Sequence, residues 1–320
     1  MTELRFATLD PDDVVYGRVD EVGPSIRRVI AENPSKFTYH GTGTYIVGRG
    51  DVVVIDPGPV LDSHRDALGA ALAGERVRAV LVTHCHADHS PLAAWLSAET
   101  DAPTFAYGPH PPAEPDDSGG EDSGDADDDE ITEGVKVEEA IDRAFVPDHA
   151  VSDGEVVVDR PGLTLSAVHT PGHTSNHLCF AFAEERVLFT GDHVMGWSTT
   201  VVSPPDGDMT AYIASLEKVA ARDDAVMWPT HGPARHDGQE YVRALVEHRL
   251  ERERQILEQL RAGRHAIASI VEQLYAEVRP ELHKAAGRSV LAHLVKLVDQ
   301  GDVAVADGPR PRLRSRYEPV

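Results

Sequence analysis

The chain has 320 residues, which at ~150 residues per domain suggests two domains, and its 41% hydrophobic content suits ordinary globular folding. Its 54 acidic residues outnumber 30 basic ones, for a net charge of −24, and only five of the basic residues are lysines: Lys36, Lys136, Lys218, Lys284 and Lys296. No run of 18 apolar residues marks a membrane-spanning helix, and residues 1–12 lack the basic-then-apolar pattern of a secretory signal. Two cysteines, Cys85 and Cys179, are too few for a disulfide framework, so the expected compartment is the cytoplasm. So acidic a surface repels itself in dilute buffer. At molar salt the screening length falls to about 3 Å and that penalty largely vanishes. The composition therefore suits a high-salt cytoplasm, with a merely acidic mesophilic protein as the alternative.

In chain order, β-branched runs predict strands at 52–55, 79–83 and 102–107, with a helical stretch at 92–98. Residues 111–134 are rich in Asp, Glu, Gly, Ser and Pro and nearly empty of large apolar side chains, so a solvated, mobile insert is expected there. Strands follow at 155–158, 163–169, 178–182, 187–190 and 226–229, with a helix over 208–221 for which Asp208 is the natural N-cap. Strands interspersed with helices predict a layered α/β domain over 1–237.

From Gly238 the pattern changes. Residues 239–262 read as a long helix with Val242, Val246 and Leu250 on one stripe and Ile256 and Leu260 on another. Ile267, Ile270, Val271 and Leu274 mark a second helix, and 285–300 a third that buries Val290, Leu294 and Leu297 and stops at Gly301. Residues 303–305 and 313–317 around Asp307-Gly308 predict a hairpin. Three helices and a hairpin make a small winged-helix-like domain over 238–320. Its 14 basic and 12 acidic residues leave it at +2, against −26 for the rest.

The chemistry is concentrated at strand ends. His84-Cys85-His86-Ala87-Asp88-His89 leaves the 79–83 strand directly, and alternate residues there point to one side. Three imidazoles and a carboxylate in six residues suit zinc, which takes nitrogen and oxygen donors; a histidine-rich polar loop is the bland alternative. His173 in His169-Thr-Pro-Gly-His173, Asp192 in Thr-Gly-Asp192-His193 and His231 in Pro-Thr-His231-Gly also follow strands. Cys85 falls on the opposite face from its neighbours and Cys179 inside an apolar strand, so both read as packed side chains.

With Asp56 placed ahead of it, this series resembles the five-motif signature of metallo-β-lactamase-fold hydrolases over roughly 35–235. The resemblance implies a four-layer αββα sandwich with a dinuclear site. In it His84, His86 and His173 bind one zinc, Asp88, His89 and His231 bind the other, and Asp192 bridges both, with iron or manganese as alternative metals. Asp56 matches the position that supports ligand orientation, so that Asp88, Asp192 and Asp56 are the acidic residues of the reaction. Asp at 192 resembles the glyoxalase II branch. The resemblance further implies water activated by the metals, with its pKa lowered to about 7, and no side-chain nucleophile. His169 and His193 read as structural neighbours of ligands; His177 and Tyr45 are candidate substrate contacts, and His40 lies near the same cleft.

The tail, 248–255 and 283–294, resembles the winged-helix tail of the lactamase-beta-2-like group and not the glutathione-binding domain of true glyoxalase II. A small ester or thioester is therefore the expected substrate, with the tail as cleft wall or dimer contact in a homodimer. A single-strand endoribonuclease is the alternative, with Arg288, His293, Lys296, Arg310, Arg312, Arg314 and Arg316 as phosphate contacts on single-stranded RNA. The slight positive charge of the tail argues against it. A persulfide dioxygenase with one iron is a third reading. No membrane partner is expected.

Overall fold

The structure is a computed structural model that describes residues 4–111, 140–277 and 282–320. The acidic stretch expected to be a mobile insert lies, from residue 112 onward, outside the described residues. The chain divides into two units, Asp10–Val151 and Met1–Leu9 together with Ser152–Val320.

Asp10–Val151 is built on a seven-stranded sheet whose strands lie in chain order: β1 (Val19–Glu21), β2 (Ile26–Ile30), β3 (Gly43–Arg49), β4 (Asp51–Ile55), β5 (Arg76–Leu81), β6 (Thr104–Ala106) and β7 (His149–Ala150). β1 to β4 pair antiparallel; from β4 onward the pairings are parallel. Parallel neighbours need a crossover, and α1 (Asp62–Ala71) and α2 (Ala93–Thr100) supply two of them. Val52, Val53, Val54, Val80, Leu81 and Val82 have no exposed surface, so the central strands are buried on both faces, as continuous apolar runs predict. Leu68 of α1, Leu72 just beyond its end and Leu96 of α2 pack in one cluster with Ile46, Val52, Val54 and Val80. The sequence patterns missed β1, β2, β7 and α1. In β2 the cause is visible: Ile-Arg-Arg-Val-Ile is buried throughout, and Arg27 pairs with Glu75 at 2.9 Å.

The second unit holds a five-stranded sheet in the order β12 (Val226–Pro229), β11 (Val187–Gly191), β10 (Leu178–Phe182), β9 (Leu163–His169) and β8 (Val156–Arg160). Only β11 and β12 run parallel, and α3 (Met209–Ala220) crosses between them. Asp208 caps α3 as expected, its Oδ1 accepting the Ala211 amide at 2.8 Å. Tyr212, Leu216 and Val219 of α3 pack with Val168, Cys179, Leu188 and Met227 of the sheet.

Helix α4 (Gly238–Arg261) serves two clusters of this unit. Tyr241, Val242 and Leu245 join the core around α3, whereas Ile256 and Leu260 pack with α5 (Ile267–Leu274), α6 (His283–Gln300), β13 (Val303–Val305) and β14 (Tyr317–Pro319). The expected stripe through Leu250 is corrected: Leu250 is 42% exposed and its neighbour Arg249 is 4% exposed. The tail hairpin is corrected too. β13 pairs antiparallel with β14, which overlaps the expected 313–317 only at Tyr317, opposite Val305, and Asp307-Gly308 is not a tight turn between them. Pro309 and Pro311 offer no amide to a ladder, and the buried Tyr317 anchors the returning strand instead. Gly301 ends α6 with φ +81, as expected.

Candidate metal centre

The first group of donors lies in Asp10–Val151. Beyond β5 the chain passes through Thr83 into the His84–His89 loop, and Asp56 follows β4 in the left-handed region, at φ +49. The Asp56 carboxylate has no exposed surface; its Oδ1 accepts the Thr83 amide at 2.8 Å, and its Oδ2 accepts the Thr83 hydroxyl and His89 Nδ1, both at 2.9 Å. A carboxylate only accepts, so His89 Nδ1 carries the proton and Nε2 presents its lone pair. With its hydrogen committed to Asp56, the Thr83 hydroxyl accepts from His84 Nδ1 at 3.0 Å, which frees His84 Nε2 as a donor to metal. That nitrogen lies 2.9 Å from His86 Nδ1.

Asp88 is oriented from the other side. The Thr42 hydroxyl donates to Asp88 Oδ2 at 2.9 Å, while Asn33 clamps Thr42, donating to its Oγ1 and accepting its amide, each at 2.9 Å. Asp88 Oδ2 lies 3.3 Å from His89 Nε2. The loop is braced by residues after the acidic stretch: the Ala87 amide reaches the Ala140 carbonyl, the Asp142 amide the Cys85 carbonyl, and the Ser90 hydroxyl Asp142 Oδ2 at 2.7 Å.

The second group lies in the other unit, around Asp192 at the end of β11. Its Oδ2 lies 3.7 Å from His173 Nε2 and its Oδ1 3.4 Å from His231 Nε2, so each oxygen faces a different imidazole. His173 Nδ1 donates to the Val201 carbonyl at 2.6 Å, again leaving Nε2 as the lone-pair nitrogen. The turn before His173 requires glycine: Gly172 has φ +138, and a Cβ there would sit 2.3 Å from the Tyr212 Cα. The Thr200 hydroxyl shares its hydrogen between the Asp192 and His193 carbonyls, at 2.8 and 3.0 Å.

Of the seven expected ligands, His84, His86, Asp88 and His89 lie with Asp56 in one unit and His173, Asp192 and His231 in the other, and hydrogen bonds orient His84, Asp88, His89, His173 and Asp192. His and Asp groups able to hold a metal ion are present among the described residues. The structure corrects other expectations. His177 has no exposed surface; its Nε2 accepts the Asp192 amide at 3.2 Å and its Nδ1 donates to Thr170 at 2.9 Å, so both ring nitrogens are engaged within the protein and it holds the Asp192 backbone. Tyr45, 1% exposed, is equally enclosed, and burial pushes its phenol up to about 12. His293 is fully buried, and Lys296 donates to Glu253 at 2.6 Å, which removes both as phosphate contacts. Cys85 and Cys179 are packed apolar side chains as expected. Asn33, Thr42, Thr83, Asp142 and Thr200 were not foreseen; only Thr83, adjacent to His84, carried a positional signal.

The model of the metallo-beta-lactamase superfamily matches residues 39–231, and that of the beta-lactamase associated winged helix domain matches 266–310. The beta-lactamase-like protein 2 homolog of Caenorhabditis elegans is 30% identical over 300 residues, 89% of this chain and 88% of that protein. An atrochrysone carboxyl ACP thioesterase of Cryptosporiopsis sp. (strain 8999) is 30% identical over 257 residues, 78% of this chain and 68% of that one. Among solved structures, a beta-lactamase domain protein from Burkholderia ambifaria superposes with a TM-score of 0.73 at 21% identity, covering 96% of each chain. A metallo-beta-lactamase family protein from Thermus thermophilus gives 0.69 at 21% identity, covering 94% of this chain and 100% of that one. These two likenesses concern the fold.

Proposed function

Since the chain belongs to the metallo-beta-lactamase superfamily, we propose that its seven donors form one dinuclear zinc centre that hydrolyses a small ester or thioester. His84, His86 and His173 would hold one ion, Asp88, His89 and His231 the other, with Asp192 between them. The observation that carries this reading is the Asp192 carboxylate, whose two oxygens face two different imidazoles. The donor set fits the metal: imidazole nitrogens and carboxylate oxygens are zinc ligands, and the hydrogen bonds to Asp56, Thr83 and Val201 hold His89, His84 and His173 in the tautomer a metal needs. Bound there, the ions would lower the pKa of water to about 7 and polarise the acyl carbonyl.

The residues of the chain supply orientation. Asp56 fixes His89 and the Thr83 amide, Thr42 fixes Asp88, and His177 fixes the Asp192 backbone. Neither cysteine serves as nucleophile: both are fully buried, and burial pushes the Cys179 thiol up to about 12. A thioester is favoured by relatives named as ACP thioesterases; its thiol leaving group, with a pKa near 8.5, departs with little help from a general acid. Single-stranded RNA is the weaker reading, because the burial of His293 and Lys296 thins its contact set. One iron, as in a persulfide dioxygenase, would leave part of the donor set unused. We read the charge of −24 as adaptation to high salt and the two buried cysteine side chains as suited to a reducing cytoplasm. The test is an assay in high salt with defined zinc, against acyl-thioesters and single-stranded RNA. Thioester turnover that vanishes in Asp192→Ala is expected; RNA cleavage without thioester turnover would overturn the substrate assignment.

A further inference from the structure

We propose that Arg249 of α4 is a positioning residue for His173 and Asp192, so that α4 is part of the support of the metal centre. The inference rests on the metal reading above. The position is unexpected: sequence periodicity puts Leu250 inward, yet Leu250 is 42% exposed and the Arg249 guanidinium is buried in its place. Burying a cation is costly unless hydrogen bonds compensate. Here Arg249 Nη2 donates to the Thr200 carbonyl at 2.5 Å, and the guanidinium carbon lies 5.2 Å from the Tyr212 ring centroid.

Thr200 and its neighbour then hold two donors at once. The Thr200 hydroxyl reaches the Asp192 and His193 carbonyls, and the Val201 carbonyl accepts the His173 Nδ1 proton at 2.6 Å. The Tyr212 hydroxyl adds a bond to the His193 carbonyl at 3.0 Å. A displacement of the 200–201 backbone therefore moves the carbonyl oxygen that fixes His173 and the hydroxyl that holds the Asp192 backbone together. α4 is itself held at both ends, by Tyr241, Val242 and Leu245 in one cluster and by Ile256 and Leu260 in the other. The packing of α4 in those two clusters thus sets where the guanidinium sits.

The test is zinc affinity of the full chain, read by competition with a chromophoric chelator, beside the melting temperature of the metal-free protein. Arg249→Met is expected to weaken zinc binding by about tenfold or more, the loss usual for groups that orient ligands. Arg243→Met is the control: Arg243 also donates to a backbone carbonyl from α4, at Ala220 and 3.3 Å, away from the donors, and its zinc affinity is expected to stay at the wild-type value. Thr200→Val, which keeps the side-chain shape, tests the same chain of contacts if Arg249→Met does not fold, and is expected to weaken zinc binding in the same direction. In the double variant the losses are expected to be less than additive. Unchanged zinc affinity in a folded Arg249→Met, unchanged affinity in Thr200→Val where Arg249→Met does not fold, or equal losses in Arg249→Met and Arg243→Met would overturn the role of Arg249 while leaving the metal reading intact. A wild-type chain that takes up no zinc would overturn both.

Discussion

Asp56 touches Thr83 twice and His89 once, and through them it sets the tautomers of two histidines without being a ligand. Asp56→Asn keeps the shape, but its amide nitrogen cannot accept the His89 proton. Zinc affinity is expected to fall about 10–100-fold, measured by chelator competition; an unchanged affinity would remove Asp56 from the support of the site. Gly172→Ala is expected to lower stability by about 1–3 kcal/mol or more in denaturant unfolding, because its Cβ would strike the Tyr212 backbone at an unfavourable φ. The donors proposed as ligands drew notice in the sequence because histidine and aspartate crowd into six consecutive residues and recur at strand ends. Their props did not: Thr42, Thr200 and Asn33 are common residue types, and Thr42 lies 46 positions from the Asp88 that it orients.

At the scale of elements, strands with apolar runs and helices with clear periodicity were readable, and β2 and α4 show why some were not. Two arginines in β2 look solvated until the partner of Arg27, 48 residues later, is known. Along α4 the apolar period points to Leu250, but a carbonyl on another loop draws in Arg249 instead. The packing of α4 against α6 has a consequence for pH. Burial, together with neighbouring cations, lowers the pKa of His248 and of His293 from 6.5 to about 4, and burial lowers that of His64 on α1 to about 4. Each is neutral when folded at pH 5, whereas in the unfolded chain it binds a proton below about pH 6.5. The unfolded state therefore takes up more protons, and stability falls as pH drops from 6.5 towards 4. The melting temperature of the metal-free protein is expected to decline over that window, and less steeply in His293→Leu; a flat profile between pH 7 and 4.5 would contradict the neutral assignment.

For the whole molecule, the strongest signal in composition is charge. With −24 on 320 residues, self-repulsion is screened at molar salt, so the melting temperature is expected to rise from 0.1 M to 2 M KCl; a fall would contradict the reading of salt adaptation. The family was legible because its ligands come in a fixed order along some 150 residues, whereas the start of the tail's returning strand was not, since Tyr317, which seats it, is the last residue of the 313–317 run and only packing shows it buried. The seven donors as one centre are tested most directly by the metal content of the purified chain, measured by elemental analysis after loading with zinc and removal of excess. Two zinc ions per wild-type chain are expected, with clear loss in Asp192→Ala; one ion or none in a folded wild-type chain would contradict the dinuclear centre.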